Sequence, residues 1–173
     1  MTLEERPDDE YRLVMSHFLT GVTIVTGIRD EVPLGFTCQS FASVSLRPRL
    51  VAIIPSLIST SWPGIEASGR FCVNVLSAGQ AGLARHFAVS GGPKFDGVDW
   101  SPSRSGNPVI DGHLAYVDCE IGAVHEAGDH VIVIGAVVEL GLGDVAEAGP
   151  LHYYRGRFFD PGDRLDVPLV DRA

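Results

Sequence analysis

The residues best suited to bind a ligand form a cluster of small polar side chains between two apolar runs. The cluster consists of Thr37, Cys38, Gln39, Ser40 and Ser43. Positions 32–46 contain no Lys or Arg, so the cluster would hold a ligand through neutral hydrogen bonds, each of which contributes only about 0.5–1.5 kcal/mol. Several such bonds suit a polar ligand that must leave again. A Ser- and Thr-rich turn on a surface hairpin is the alternative interpretation.

A second polar feature lies far downstream, at Gly128-Asp129-His130. A Gly-Asp turn places the imidazole of His130 at the start of a long strand, where it can donate to a phosphate or an amide. Further along, Tyr154 and Arg155 belong to a segment that combines aromatic rings with two guanidinium groups, a pairing that can bind a dinucleotide. A solvent-facing turn and a closing strand with solvated arginines are the alternatives for these two segments.

The cations nearest in sequence to the polar cluster are Arg85 with His86, at the end of a predicted helix, and Lys94 beyond it. Arg85 could neutralise a phosphate or simply favour the helix C-terminus. Positions 141–146 (GLGDVA) have the spacing of a dinucleotide fingerprint, but Gly149-Pro150 stops the helix that a fingerprint must open, so we interpret them as a turn. The six histidines lack the spacing of a metal site, and no metal is predicted.

Strands are the main elements that must position these residues. Runs rich in β-branched residues predict strands over 22–27, 32–36, 41–46, 50–55, 70–76, 113–124, 131–141 and 151–154. Residues 90–108 lack periodicity and predict a long irregular loop. A polar tail is expected after Tyr154. Because strands do not alternate with helices as βαβ units, we expect a mainly β protein, an antiparallel barrel with peripheral helices.

Three helices are expected at the periphery of this barrel. Helical spacing of apolar residues predicts helices over 8–19, ended by Gly21, and over 78–87. A short helix between them would be capped by one of the hydroxyl residues at 59–61 and would end at Gly69.

Composition limits the class of protein. The 173 residues fit one domain over 1–173, with a core from about 11 to 159 and a polar tail at each end. A net charge of −9 argues against nucleic-acid binding. The odd number of cysteines (Cys38, Cys72 and Cys119) argues against a disulfide scaffold and favours reduced thiols in the cytoplasm. The charged N-terminus does not predict a signal peptide, and no apolar run approaches membrane-spanning length.

Taken together, these segments resemble the flavin reductase family, whose members carry the FMN-binding split barrel. The resemblance runs from about residue 11 to residue 159. It rests, in this order, on positions 21–26, 33–46, 71–76, 94–100, 128–130 and 153–156. It implies an antiparallel, Greek-key split β-barrel, and a homodimer with the flavin near the subunit interface.

The resemblance also implies roles for individual residues. The flavin side of the implied site consists of Thr37, Cys38, Gln39, Ser40, Ser43, Ser56, Ser59, Ser61, Trp62, Arg85 and His86. The nicotinamide dinucleotide side consists of His130, Tyr154 and Arg155. Many relatives have a second hydroxyl where this chain has Gln39, so the role of this amide is the least defined in the set.

The implied activity is that of an NAD(P)H:flavin oxidoreductase. NADH, in preference to NADPH, would reduce FMN or FAD, and the reduced flavin would diffuse to the separate oxygenase of an aromatic or steroid-ring hydroxylase. The cofactors carry this chemistry, so no catalytic side chain is expected, and the protein has to hold the two rings at near-attack distance. The alternatives are a non-catalytic flavin or haem binder, and a flavoenzyme that retains FMN and reduces a bound corrin or ferric substrate.

Overall fold

Antiparallel strands make up most of the chain, and helices lie at its periphery. A computed structural model describes residues 7–145 and 148–159. The helices are α1 (Pro7–Met15), α2 (Trp62–Ser68) and α3 (Ala81–Ala88). The strands are β1 (Thr20–Gly21), β2 (Thr23–Arg29), β3 (Val32–Cys38), β4 (Ala42–Leu46), β5 (Arg49–Ile53), β6 (Arg70–Leu76), β7 (Trp100–Pro102), β8 (Pro108–Ile110), β9 (His113–Ala127), β10 (His130–Leu142), β11 (His152–Tyr154) and β12 (Arg157–Phe159).

Seven of these strands form the main sheet, in the order β3-β2-β6-β9-β10-β5-β4. Every pair in it is antiparallel. A three-stranded sheet, β1-β11-β12, and a two-stranded sheet, β7-β8, flank it. The prediction of a mainly β, antiparallel protein is therefore confirmed. The main sheet is open, because β3 and β4 form its two edges.

The two edge strands of the main sheet are neighbours in sequence. β3 ends at Cys38 and β4 begins at Ala42, and a linker of this length spans at most about 14 Å. The sheet must therefore curl until its edges approach each other at residues 39–41. The polar cluster identified in the sequence lies at this point.

Two clusters of buried apolar side chains fill the interior. One lies inside the main sheet and includes Val25, Ile53, Ile65, Phe71 and Val133. The second lies between that sheet, α3 and the β11 region, and consists of Val22, Ile24, Leu76, Ala84, Phe87, Ile110 and Leu151. Paired residues from adjacent strands, such as Val25 opposite Val73, fill the first cluster, while Ile24, the neighbour of Val25, belongs to the second, because successive side chains of a strand point to opposite faces.

The first helix is shorter than the sequence predicts. Its apolar spacing continues to residue 19, but α1 ends at Met15. Gly21 does not end this helix, because it belongs to β1 and pairs with His152. Phe18 and Leu19 stay exposed, so no packing in the described chain extends the helix to them.

Besides the two-residue β1, three strands of three residues were missed in the sequence. Residues 90–108 contain β7 and the start of β8, and the segment after Tyr154 forms β12 where a polar tail was expected. Each has only three residues, too few to produce a visible alternation. The helix expected over 78–87 begins as a 3₁₀ turn at Ala78–Gln80 and continues as α3. No helix in the described ranges is long and apolar enough to cross a membrane.

Candidate functional site

A cleft of about 400 Å³ opens where the edges of the main sheet approach each other. Its walls come from the end of β3, from the segments after β5 and α3, and from the start of β10. The lining residues are Phe36, Thr37, Cys38, Gln39, Ser40, Ile54, Pro55, Ser56, Ile58, Ser59, Thr60, Phe87, Ala88, Ser90, Lys94 and His130. The cleft thus collects side chains from four separate parts of the sequence.

Ser40, which lines the cleft, joins the linker between β3 and β4 to the segment that follows β5. Its Oγ accepts a hydrogen bond of 2.9 Å from the backbone N–H of Ile54 and lies 3.3 Å from the Ile54 carbonyl, to which it can donate. The Sγ of Cys38 lies 3.1 Å from the same oxygen. Ser40 therefore has a structural task in this chain, which the sequence did not indicate.

Backbone contacts bring the Gly-Asp-His turn to the cleft. The N–H of Val131 donates to the Pro55 carbonyl at 3.0 Å, and the N–H of Leu57 donates to the Asp129 carbonyl at 3.0 Å. Ser56 and His130 face each other in an isolated β-bridge. This small ladder explains how a histidine far downstream comes to line a cleft built mostly from residues 36–60.

The imidazole of His130 is oriented by its neighbour in sequence. Its Nδ1 lies 2.7 Å from the Asp129 Oδ1. This hydrogen bond is the largest cause of the lowered pKa of Asp129. Both side chains are accessible to solvent, so a ligand in the cleft can reach the ring.

Lys94 closes one wall of the cleft and was not assigned to the site from the sequence. Its Nζ donates to the Gly35 carbonyl at 3.1 Å and to the Phe87 carbonyl at 3.0 Å. Partial burial lowers its pKa. The close packing of this wall requires glycine at position 35, where an added Cβ would lie 2.7 Å from the Phe87 ring. The Lys94-Phe95-Asp96-Gly97 run was the sequence signal that could have identified this residue.

The cleft carries little charge. Among the described residues that line it, the ionisable side chains other than the Cys38 thiol are Lys94 and His130, and no carboxylate contributes. The rest are hydroxyls, one amide, backbone groups and apolar side chains. Such a surface suits a flat, partly apolar ligand that carries many polar atoms and an anionic end.

A second cavity of about 370 Å³ adjoins the cleft, and we call it the annex. It shares Thr37, Gln39 and Ala88 with the cleft, and its other lining residues are Arg85, Tyr153, Gly156 and Phe158. The annex therefore lies between α3 and the β11–β12 hairpin and is continuous with the cleft.

Several residues predicted for the flavin do not line the cleft. Ser43 lies on β4 outside it, and Trp62 is buried in the core. Ser61 is buried as well, and its Oγ donates to the Gly35 carbonyl at 2.7 Å. His86 does not line the cleft, and its Nε2 lies 2.9 Å from the Lys94 carbonyl. These contacts support the walls, and direct ligand contact by these four residues remains a prediction without support from the geometry.

Tyr154 and Arg155 lie in a different place from His130. They line a separate cavity of about 510 Å³ together with Arg157 and Phe159. This cavity shares no lining residue with the cleft or the annex. Neighbours on a strand point to opposite sides, so Tyr153 faces the annex while Tyr154 faces the other cavity.

Comparison with known proteins gives a consistent result. Residues 15–162 match the model of the flavin reductase like domain. The chain is 48% identical over 148 residues to the reductase subunit HsaB of a flavin-dependent monooxygenase from Mycobacterium tuberculosis (strain H37Rv), covering 86% of this chain and 79% of HsaB. It is 40% identical over 148 residues to the FMN reductase (NADH) SmoA of Agrobacterium fabrum, covering 86% and 83% of the two chains.

A solved structure agrees with these relatives. Nitrilotriacetate monooxygenase component B from Mycobacterium thermoresistibile superposes with a TM-score of 0.90 at 42% identity, covering 97% of this chain and 95% of that protein. The family model matches most of the chain, and the cleft includes residues from three of the segments that carried the resemblance, namely residues 36–40, Lys94 and His130. The chain is a member of the flavin reductase-like family.

Proposed function

We propose that this chain is an NADH-dependent flavin reductase that reduces FMN or FAD and supplies the reduced flavin to a separate monooxygenase. The observation that carries the proposal is the cleft, in which the uncharged cluster at 37–40 and the imidazole of His130 line the same space. The names of HsaB and SmoA support this activity. They favour it over a non-catalytic flavin or haem binder and over an enzyme that reduces a bound corrin or ferric substrate.

The residues of the cleft fit a flavin. A bound flavin would supply the hydride acceptor. Phe36 offers apolar ring surface. The Ser59 hydroxyl, which accepts from the Trp62 N–H, can still donate a neutral hydrogen bond, and the Thr37 hydroxyl, which donates to the Ala84 carbonyl, can still accept one. The Lys94 ammonium can compensate negative charge. Neutral hydrogen bonds are individually weak, so this set suits a flavin that is released after reduction.

His130 would hold the nicotinamide dinucleotide against the flavin. Its Nδ1 is engaged with Asp129, which leaves Nε2 for a ligand. The protein's role in hydride transfer is to orient the two rings and exclude water between them. Tyr154 and Arg155 are assigned to the nicotinamide dinucleotide only through the family resemblance, because within a single chain they line a cavity separate from the cleft.

We further propose that the chain is one domain over 1–173, that its main sheet is a Greek-key split barrel, and that it forms a homodimer in the cytoplasm. The short linker between β3 and β4, the opposite edges of the sheet, supports the barrel. Exposed apolar side chains on the flanks of β5 support the dimer: Leu46 on β4 is 83% exposed and Leu142 on β10 is 80% exposed. Isolated chains rarely expose such a surface unless it binds another protein.

The proposed partners are a second copy of the chain and the oxygenase component that uses the reduced flavin. Light scattering after size exclusion tests the first, with a mass of about twice 18.5 kDa expected. Replacement of Leu46 by Glu should shift the measured mass toward that of the monomer. A monomeric mass for the parent protein would contradict the dimer.

One assay tests the central activity. Purified protein is mixed with FMN or FAD, and the oxidation of NADH and of NADPH is followed by absorbance under air. We expect NADH oxidation that depends on added flavin and exceeds NADPH oxidation. Flavin binding without NADH oxidation would favour the non-catalytic binder, and flavin that survives extensive dialysis would favour an enzyme that retains it.

A further inference from the structure

We infer that a further pocket, behind the wall that Lys94 forms in the cleft, binds a neutral single-ring phenol, and that the bound phenol weakens flavin binding. This back pocket has a volume of about 210 Å³. Among the described residues, Lys94 lines both the back pocket and the cleft, and they share no other lining residue. The inference stands on the size of the back pocket, on the polar groups at its inner end and on the hydrogen bonds of Lys94.

The walls of the back pocket are mostly apolar. Its apolar lining side chains are Val32, Pro33, Leu34, Pro93 and Phe95. An apolar cavity of about 150 Å³ is enough to bind benzene, so the back pocket has room for one ring with a substituent. Pockets that bind larger ligands begin at about 300 Å³, so the back pocket is too small for FMN and differs in its ligand from the cleft.

The burial of the lining residues gives the back pocket an inner and an outer end. Gly35 and Ser61 are buried at one end, whereas Val32, Pro93 and Asp96 are exposed at the other. The carboxylate of Asp96 thus lies at the mouth, where it repels an anion. A neutral ligand is therefore favoured over a ring that carries a carboxylate.

Two polar groups at the inner end match a hydroxyl. The Ser61 Oγ and the Lys94 Nζ both donate to the Gly35 carbonyl, at 2.7 Å and 3.1 Å, so they meet at one oxygen and a single ligand hydroxyl can reach both. The Ser61 hydroxyl has spent its proton on this bond and can still accept, whereas the ammonium can still donate. A phenolic hydroxyl, which is a donor and an acceptor, satisfies both groups while its ring stays among the apolar walls.

The hydrogen bonds of Lys94 couple the back pocket to the cleft. An ammonium has three N–H donors, and two of them are taken by the carbonyls of Gly35 and Phe87. One donor remains, and it can serve an acceptor in the back pocket or an anion in the cleft, but not both at once. A phenol in the back pocket therefore lowers the affinity of the cleft for an anionic ligand, and by reciprocity that ligand lowers the affinity for phenol.

The coupling rests on the proposed function, because it takes a flavin as the ligand of the cleft. Phenol binding itself does not depend on it. A chain that binds phenol but no flavin would refute the proposed function alone. A chain that binds flavin but no phenol would refute the present inference alone.

The first experiment measures phenol binding by NMR titration of the full chain. We expect a dissociation constant of about 1 mM, the range for so small a ligand. Val32→Phe places a ring at the mouth of the back pocket and should weaken phenol binding at least tenfold. Val124→Phe, at an exposed position on β9 that lines none of the described cavities, is the matched control and should stay within twofold. Absence of phenol binding in the parent protein, or equal binding in both variants, overturns the site.

A second titration tests the preference for a neutral ligand. Benzoate should bind the parent protein more weakly than phenol. Asp96→Asn should raise the affinity for benzoate about two- to fivefold, as expected for an exposed charge, and leave that for phenol within twofold. Asp99→Asn, which removes an exposed carboxylate outside the back pocket, should change neither. An unchanged affinity for benzoate in Asp96→Asn would overturn the role of this carboxylate.

The third experiment measures the coupling by fluorescence titration with FMN. Saturating phenol should raise the dissociation constant of FMN several-fold in the parent protein and in Val124→Phe, but less than twofold in Val32→Phe. Toluene has the ring without the hydroxyl, so it should leave FMN binding within twofold. If phenol weakened FMN binding equally in Val32→Phe, it would be competing inside the cleft, and the back pocket would be overturned as its site.

Discussion

The chain contains two clusters of polar residues that use their hydrogen-bonding groups in different ways. One surrounds Asp118 on β9, and the other lines the cleft. Asp118 is fully buried, and its oxygens accept hydrogen bonds from Asn107 Nδ2 at 2.8 Å, Ser103 Oγ at 2.9 Å and the Ser105 N–H at 3.2 Å. These bonds pin the loop before β8 to the sheet.

The polar groups of the cleft instead line an open space. Some are engaged with backbone, as Ser40 is with Ile54, but none is enclosed by donors on all sides as Asp118 is. A buried carboxylate needs donors on both oxygens to be tolerated, whereas neutral hydroxyls at a cleft can exchange water for ligand at small cost. Polar groups whose donors and acceptors are all paired within the protein stabilise the fold. Polar groups that keep an unpaired donor or acceptor can bind a ligand.

The largest effect is expected at the buried cluster. Asp118→Ala leaves the Asn107 amide and the Ser103 hydroxyl without their acceptor, so the free energy of unfolding should fall by at least about 3 kcal/mol, the sum expected for two or more bonds to a charged group. Urea denaturation measures this. Glu120→Gln, at an exposed position on the same strand, is the control and should stay within about 0.5 kcal/mol of the parent protein. If Asp118→Ala weakened flavin binding by as large a free energy as it lowers stability, the two clusters would not have separate roles.

Ser40→Ala should affect both binding and stability. Loss of the hydroxyl removes its hydrogen bond with the Ile54 N–H, which lies at an exposed site, so stability should fall by about 0.5–1.5 kcal/mol. If Ser40 also bonds the flavin phosphate, affinity falls by a charge-assisted bond of roughly 1.5–3 kcal/mol. Fluorescence titration with FMN and thermal denaturation separate the two effects. Ser45→Ala, which removes a hydroxyl outside the cleft that accepts only from the Arg47 N–H, provides the baseline. An unchanged flavin dissociation constant would restrict Ser40 to its structural task.

His130→Ala should separate the two cofactors. We expect the KM for NADH to rise several-fold, because one hydrogen bond to the dinucleotide is lost, while the dissociation constant of the flavin changes less than twofold. Steady-state kinetics and flavin titration give the two values. His125→Ala removes an exposed imidazole from β9 and serves as control. Equal losses for NADH and flavin would assign His130 to the fold or to the flavin.

The smallest effects concern the three thiols. Cys72 and Cys119 lie in the buried region around Asp118, and Cys38 lies at the cleft. Burial, and then the charge of Asp118, raise the pKa of Cys119 to about 12 and that of Cys72 well above its ordinary range. Cys38 lines the cleft. Because the thiolate is the reactive form, a disulfide reagent at pH 8 should modify Cys38 before the other two in the native protein, and bound flavin should slow it. Mass spectrometry of the labelled peptides identifies the order, and rapid labelling of Cys72 or Cys119 would contradict it.

The same thiols make stability depend on pH. Unfolded cysteines ionise near pH 8.5, while the raised pKa of Cys119 keeps its folded thiol protonated to about pH 12. The unfolded state therefore binds fewer protons above pH 8.5, and stability should decline from that pH upward. Urea midpoints at pH 7, 8.5 and 10 check the sign. The decline should be smaller in Cys119→Ala than in the parent protein, once both are compared with their own values at pH 7.

Local patterns predicted the long strands well, and they failed where packing decides. The run at 70–76 coincides with β6, because seven residues of mostly apolar, strand-favouring types give a strong compositional signal. The three-residue strand β12 gave no such signal, since it exists only because β11 pairs with it. α1 shows the opposite error. The helical spacing of apolar residues continues to residue 19, but the helix ends at Met15, because no described element packs against a further turn.

For the site, residue types could be predicted and partners could not. The cluster at 37–40, His130 and Arg85 were all selected from the sequence, and the structure places them in the cleft or the annex. Lys94 was noted only as a nearby cation, because nothing local indicated that its ammonium group bonds the Gly35 and Phe87 carbonyls. Trp62 was assigned to the flavin, but its side chain is buried in the core.

The sequence by itself determined the class of the protein: a mainly β chain with an uncharged polar cluster, a Gly-Asp-His turn and the ordered motifs of the flavin reductase family. These are properties of composition and spacing, which local chemistry specifies. Only the tertiary structure decided which polar groups are left free for a ligand. That depends on contacts between segments far apart in the sequence, such as Pro55 with Val131 and Arg85 with Phe158, which form only when the strands and helices pack together.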